Sequence, residues 1–296
     1  REMKLEHWDS HLHSHPFKPE WWAERLIANM DRNNTRAGAI SGVALFNAKD
    51  NEAVPALAAR YPGRLLPLLS YVDLNNPAEL DRVTAELATG RWAGVGELFF
   101  EAHAATHLSF EDTAGQMVRL PYPVPKDGAR NRVLGGLIRY CAEHDLPILI
   151  HSESAAALEE LLVRYPHTSI IWAHCDYVTP LADVRRIFRS YPWLMVDFGP
   201  MIRCGYWDTQ HGSSAWLQTD LPFWRELCMD FPDRLLLGTD TLGDKYTAAE
   251  RYRHIYDSYA DFLEPVGAAR AQKIVAGNFK RCFHRYLSRH PEFGQV

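Results

Sequence analysis

Much of what would classify a chain at a glance is missing from these 296 residues. Neither GxGxxG nor a GxxxxGK motif follows any strand-like stretch, so a dinucleotide fold and a P-loop phosphate site have no support. The five cysteines, at 141, 175, 204, 228 and 282, are odd in number and include no CxxC pair, which argues against a disulfide framework and a cysteine zinc knuckle. No apolar run reaches the roughly 18 residues of a membrane span, and the opening REMKLEHWD lacks the basic-then-apolar layout of a signal peptide. A cytoplasmic location without a membrane partner is the expectation. A basic stripe is also missing. The formal charge is −5, and Arg185, Arg186, Arg189, Lys280 and Arg281 fall in separate places, so nucleic acid is not an expected partner.

What is present is a repeated alternation. Hydrophobic residues make up 47% and charged residues 23%, ordinary values for a globular enzyme with a sizeable core. Short apolar pieces (KLEHWDSHLH, AGAISGVALF, RLLPLLSYV, WAGVGELFF, PILIHS, SIIWAHCD, WLMVDFG, RLLLGTD) alternate with amphipathic stretches. The latter predict helices near 19–33, 51–60, 77–89, 129–144, 154–165, 180–190, 214–229 and 247–262, with a last helix near 278–289. Ser154 and Pro180 supply helix-start signals. Eight β/α units without a composition break predict one α/β domain over 1–296, a (β/α)8 TIM barrel. Two Pro- and turn-rich segments, 101–128 and 200–213, follow strands and are expected as loops over the catalytic mouth.

The polar residues sit where such a barrel does its chemistry. The strand-like pieces are apolar except at their C-terminal ends, which carry Asp9, His11 and His13, then Glu97, His151, His174 and Asp240. Side chains alternate along a strand, so His11 and His13 face the same way about 7 Å apart, close enough to share an ion. Imidazole and carboxylate suit Zn²⁺, Mn²⁺ or Fe²⁺. Each residue alone has an ordinary reading, such as a hydrogen-bonded core histidine for His151 or a turn cap for Asp240. Six of them at the ends of five strands would be costly to bury unpaired, and a shared cation accounts for all. His7, one layer deeper, reads as a packed histidine, His15 as lying beyond the strand, and Asp9 as an acceptor for one of the ligand rings.

The ordered set HLH, GVGEL, ILIHSE, IIWAHCD, LLLGTDT and the tail IVAGNFKRCF resembles the amidohydrolase superfamily over nearly the whole chain. It is most similar to the amidohydrolase-related, or amidohydrolase 2, branch. The HxH alone is a weak sign; the ordered set with GNFKRCF is specific. The resemblance implies a metal-dependent barrel in which His11, His13, His151 and Asp240 hold a catalytic ion. It further implies that His174 binds a second ion or polarises the substrate carbonyl, and that Glu97 bridges when two ions are present. Two ions is the reading taken, with one as the alternative.

The chemistry expected is hydrolysis of a small amide, lactone or related carbonyl substrate by metal-activated water, with Asp240 as general base and zinc as the first choice of ion. A metal-dependent lyase, a decarboxylase or hydratase of an aromatic or dicarboxylic acid, is the alternative. A phosphoester hydrolase of the TatD type ranks third. Arg203, Trp207, Arg119 and Tyr122 are candidates for contacts to a small, anionic substrate, each equally readable as a loop residue. Lys126, Lys245, Trp216, His103, His107 and His211 share that ambiguity, and a homodimer is a further open expectation.

Overall fold

In the computed structural model the chain is described over residues 5–43, 50–101, 107–121, 124–175, 180–197, 214–243 and 247–294. The apolar pieces form β1 (His7–His13), β2 (Thr35–Ser41), β3 (Leu65–Leu69), β4 (Gly94–Glu101), β5 (His107–Glu111), β6 (Met117–Pro121), β7 (Ile148–Ser152), β8 (Ile170–Trp172), β9 (Met195–Asp197) and β10 (Leu235–Leu236). Eight of them form one sheet in the order β1-β2-β3-β4-β7-β8-β9-β10, all pairs parallel. The near-continuous apolar runs follow from that topology, because helices cover the outer face and side chains fill the inner one. The circle is closed between β1 and the segment after β10. Ser10 N–H donates to the Leu237 carbonyl at 2.8 Å, Asp240 N–H to that of His11 at 2.8 Å, and His13 N–H to that of Thr241 at 3.0 Å. The expected (β/α)8 barrel is therefore the fold.

The crossovers run through α1 (Pro19–Arg32), α2 (Asp50–Arg60), α3 (Glu79–Ala88), α4 (Arg132–Glu143), α5 (Ala155–Arg164), α6 (Leu181–Ser190), α7 (Ser214–Asp230) and α8 (Ala249–Leu263). Ser154 caps α5 as expected, its hydroxyl accepting from Ala157 N–H at 3.2 Å, and Asn131 caps α4 through Leu134 N–H at 2.9 Å. On α6, Val184, Ile187 and Phe188 face the core. Arg185 and Arg186 of the same helix pair with Glu226, Asp230, Glu159 and Asp183, which engages two of the basic residues noted in the sequence. None of the described helices is long and apolar enough to cross a membrane.

Two expectations need correction. After α9 (Ala268–Gln272) and a π-helical turn (Lys273–Gly277), the helix foreseen near 278–289 is broken at Phe283 into α10 (Asn278–Cys282) and α11 (His284–Leu287). Asn278 of GNFKRCF donates to the Pro232 and Leu235 carbonyls at 2.7 Å each, anchoring this tail to the start of β10. The segment 101–128 is not a plain loop, since β5 and β6 pair in it as an antiparallel hairpin. Its turn is held by Asp112, whose Oδ1 accepts from Ala114 and Gln116 N–H at 2.8 Å each, and by Gly115 at φ +78°. Phe110 of the hairpin stands 5.8 Å from the His15 ring and Glu111 pairs with Lys18 at 3.4 Å, which puts the hairpin beside the C-terminal end of β1. The second foreseen loop, 200–213, lies outside the described residues.

Candidate metal centre

The centre begins with an irregularity in β1. Asp9 is level with Gly38 of β2, yet Leu12 is level with Ile40, so β1 carries one extra residue between them. One extra residue in a strand reverses which face the following side chains take. His7 and Asp9 both turn to Tyr256 of α8, the His7 ring at 4.9 Å and the Asp9 carboxylate at 3.2 Å from its hydroxyl. His11 and His13 turn to the barrel axis, with their Nε2 atoms 3.0 Å apart. The five alternating residues 7 to 15 are thus split, and Asp9 is not the acceptor for a ligand ring. Its Oδ1 accepts from His11 N–H and Thr239 N–H, both at 3.0 Å, and its Oδ2 from the Thr239 hydroxyl at 2.7 Å. A carboxylate bonding the amide two residues on is a local turn device, and here it holds the bulge and the β1–β10 seam together.

On the axis two groups of donors meet. His11, His13, Glu97 and Asp240 form one, and Glu97, His151 and His174 the other, the donor atoms of each lying within 4.8 Å of one another. Glu97 belongs to both and divides its oxygens between them. Oε2 lies 3.3 Å from His11 Nε2 and 3.2 Å from His13 Nε2, while Oε1 lies 3.2 Å from His151 Nδ1 and 3.6 Å from His174 Nε2. Asp240 Oδ1 completes the first group, 3.2 Å from His13 Nε2. All six residues expected from the sequence are buried and come together.

Gly96 explains how Glu97 gets there. Its φ is +134°, and a Cβ on it would lie 2.6 Å from both the Cβ and the carbonyl oxygen of Leu149 on β7. Only glycine lets β4 approach its neighbour this closely while its next residue reaches the axis.

The rings are oriented by three groups, none of them foreseen. Asp197, ending β9, places Oδ2 at 3.1 Å from His11 Nδ1. Glu153 places Oε1 at 3.1 Å from His151 Nε2. The Gly42 carbonyl accepts from His13 Nδ1 at 3.0 Å. His11 and His13 therefore present Nε2 to the axis and His151 presents Nδ1, the choice being set in each ring by the hydrogen bond its other nitrogen makes. Both missed acids had a sequence signal: Asp197 ends the apolar run WLMVD as Asp240 ends LLLGTD, and Glu153 lies one alternation beyond His151.

Burial drives these imidazoles toward the neutral form, and the carboxylates reverse it. His11 is held well above its ordinary range by Asp197, Glu97 and Asp240. Asp240 and Glu97 bring His13 to about 9 against its burial, and Glu153 and Glu97 bring His151 to about 9 likewise. Burial would raise Glu97, but His11, His13 and His151 hold it well below the usual carboxylate range. Away from the axis burial wins, lowering His7 to about 4 and raising Asp9 to about 6. Carboxylates and imidazole nitrogens crowded on one axis fit a divalent cation, which would take the place of the ring protons, and nitrogen and oxygen donors in this mixture suit zinc, manganese or iron(II).

The family profile of the amidohydrolases matches residues 8–285, which takes in every one of these donors. The chain belongs to the amidohydrolase family. No curated protein matches it. Among solved structures, this amidohydrolase is similar to a zinc-bound amidohydrolase from Burkholderia multivorans, with TM-score 0.67, 15% identity, and coverage of 94% of this chain and 99% of that one. It is also similar to a dihydroxybenzoic acid decarboxylase from Polaromonas sp. JS666 with bound manganese and 2-nitroresorcinol, with TM-score 0.59, 12% identity, and 98% and 100% coverage. A TatD homologue from Escherichia coli gives TM-score 0.58, 14% identity, and 99% and 100% coverage. At such identities these likenesses speak for the fold, and the reaction of this amidohydrolase has to be argued from its own site. Of the candidate substrate contacts, Arg119 is exposed on β6 opposite Ser109, and Lys126 is exposed beyond the hairpin. Arg203, Trp207, Tyr122, Lys245, His103 and His211 lie outside the described residues, as do the side chains of His107 and Trp216.

Proposed function

We propose that the chain is a metal-dependent hydrolase acting on a small amide, lactone or related carbonyl compound. The observation that carries this reading is the division of Glu97, each oxygen facing a different group of donors. One carboxylate shared in this way would suit two cations. His11, His13 and Asp240 would hold one and His151 and His174 the other, with zinc the first choice and manganese the next. Cations so placed lower the pKa of bound water toward about 7 and polarise a carbonyl oxygen.

The rest falls to the protein's own groups. Asp240 has the more open carboxylate, its side chain 11% exposed against 3% for Glu97, so it can be reached by water and substrate together. It takes a proton from the attacking water as the new C–O bond forms, and returns it to the amine or alkoxide that leaves. His11 and His13, pinned through Nδ1, cannot swing away to share that proton, and Glu153 fixes His151 in the same manner.

The test is isotopic. Metal-loaded protein screened in ¹⁸O-water against lactones, amides and hydroxybenzoates should place one ¹⁸O in an acid product and release no CO₂. CO₂ release from a hydroxybenzoate without ¹⁸O uptake would overturn hydrolysis in favour of the lyase. Asp240→Asn should keep most of the metal and lose about 10²- to 10⁴-fold in rate.

A further inference from the structure

Asp197 is fully buried at the end of β9, and both of its oxygens are engaged by parts of the centre that do not touch each other through the chain. Oδ2 accepts from His11 Nδ1 at 3.1 Å, and Oδ1 accepts from the backbone N–H of His174 at 3.2 Å. His174 sits in a short turn, Ala173–Cys175, with φ 44° and ψ 22°, a left-handed conformation that residues with a side chain seldom adopt. We propose that Asp197 is the positioning residue that ties the two halves of the centre together, one oxygen fixing the His11 ring and the other the His174 backbone. The proposal rests on the metal-centre reading given above.

The fold makes room for this link. In the sheet, β10 lies between β9 and β1, so Asp197 has to reach past one strand to meet His11. The residue in the way is Gly238. A Cβ on it would lie 3.0 Å from the His11 Cβ and 3.2 Å from the Asp197 Cβ, so its missing side chain is the passage. Barrel interiors are layered by side chains from alternate strands, and here the layer is a hydrogen bond instead of an apolar contact.

The chemistry requires a carboxylate. A backbone N–H can only donate, and His11 must also donate from Nδ1 if its Nε2 lone pair is to face the axis. Asparagine has one accepting end and one donating end, so whichever way its amide turns, an N–H meets another donor. Asp197→Asn is nearly the same size and leaves the core filled, which makes it the sharper substitution.

Zinc affinity and stoichiometry would be measured by chelator competition and elemental analysis on the wild type and on Asp197→Asn. Protonation of His11 Nδ1 would be read from ¹⁵N-histidine spectra of the zinc-loaded and metal-free wild type. The expected result is about 10- to 100-fold weaker zinc binding in the variant and a protonated His11 Nδ1 in the zinc-loaded wild type. Wild-type zinc affinity for both equivalents in Asp197→Asn would overturn the proposal, as would a His11 Nδ1 without its proton. The spectrum of the wild type decides the matter even if the variant does not fold. Should the wild type take up no zinc at all, the metal-centre reading fails by itself, while the chemical shift of the His11 Nδ1 proton in metal-free wild type beside Asp197→Asn still tests the Asp197 contact.

Discussion

The two halves of β1 carry the same residue types and have opposite fates. His7 and Asp9 point at the helix layer, where burial pushes the histidine to about 4 and the aspartate to about 6, so both are driven toward the neutral state. His11 and His13, two and four residues further on, point at the axis, where carboxylates hold both rings well up. What separates them is one inserted residue, pinned by a carboxylate that bonds the next turn of backbone. The lesson is that residue type in an alternating pattern says little until the face is known, and a bulge decides the face.

Substitutions in the two halves should therefore fail in different ways. His13→Ala should remove zinc from the first group and cost about 10³-fold or more in rate, about 4 kcal/mol, whereas His7→Gln should leave zinc content and rate near wild type. Equal losses of zinc at the two positions would erase the distinction. Asp9→Ala strands the buried N–H groups of His11 and Thr239 and takes one acceptor from the Thr239 and Tyr256 hydroxyls, which keep Thr241 and Tyr252 as partners. Urea unfolding should register a loss of about 3 kcal/mol, with weaker zinc binding as the bulge relaxes. A loss below about 1 kcal/mol would mean the bulge stands without it.

The smallest effect concerns pH. His7 is lowered in the folded state to about 4, so unfolding takes up a proton between about 6.5 and 4, and its contribution to stability is lost as pH falls through that window. Between pH 7 and pH 5 the wild type should lose about 2 kcal/mol more than His7→Gln. Parallel losses in the two proteins would show that His7 stays solvated in the fold.

The barrel was readable because period and length agreed in all eight units, and helix ends fell near their capping residues, as at Ser154. The six donors were readable because each is a polar residue at the end of an apolar strand. The bulge was not, since the odd-numbered alternation from His7 to His15 continues through it without a break. The β5–β6 hairpin was hidden by the prolines and turn residues around two strands of five residues each. Asp197 and Glu153 act on rings through tertiary register. The role of Asp197 depends on Gly238 of a third strand, a relation visible only once the strands are side by side.

Sharing of Glu97 by two cations is read out by elemental analysis of the zinc-loaded protein beside Glu97→Gln. The wild type should hold two equivalents of zinc per chain and the variant one or fewer. One equivalent in both proteins would contradict it.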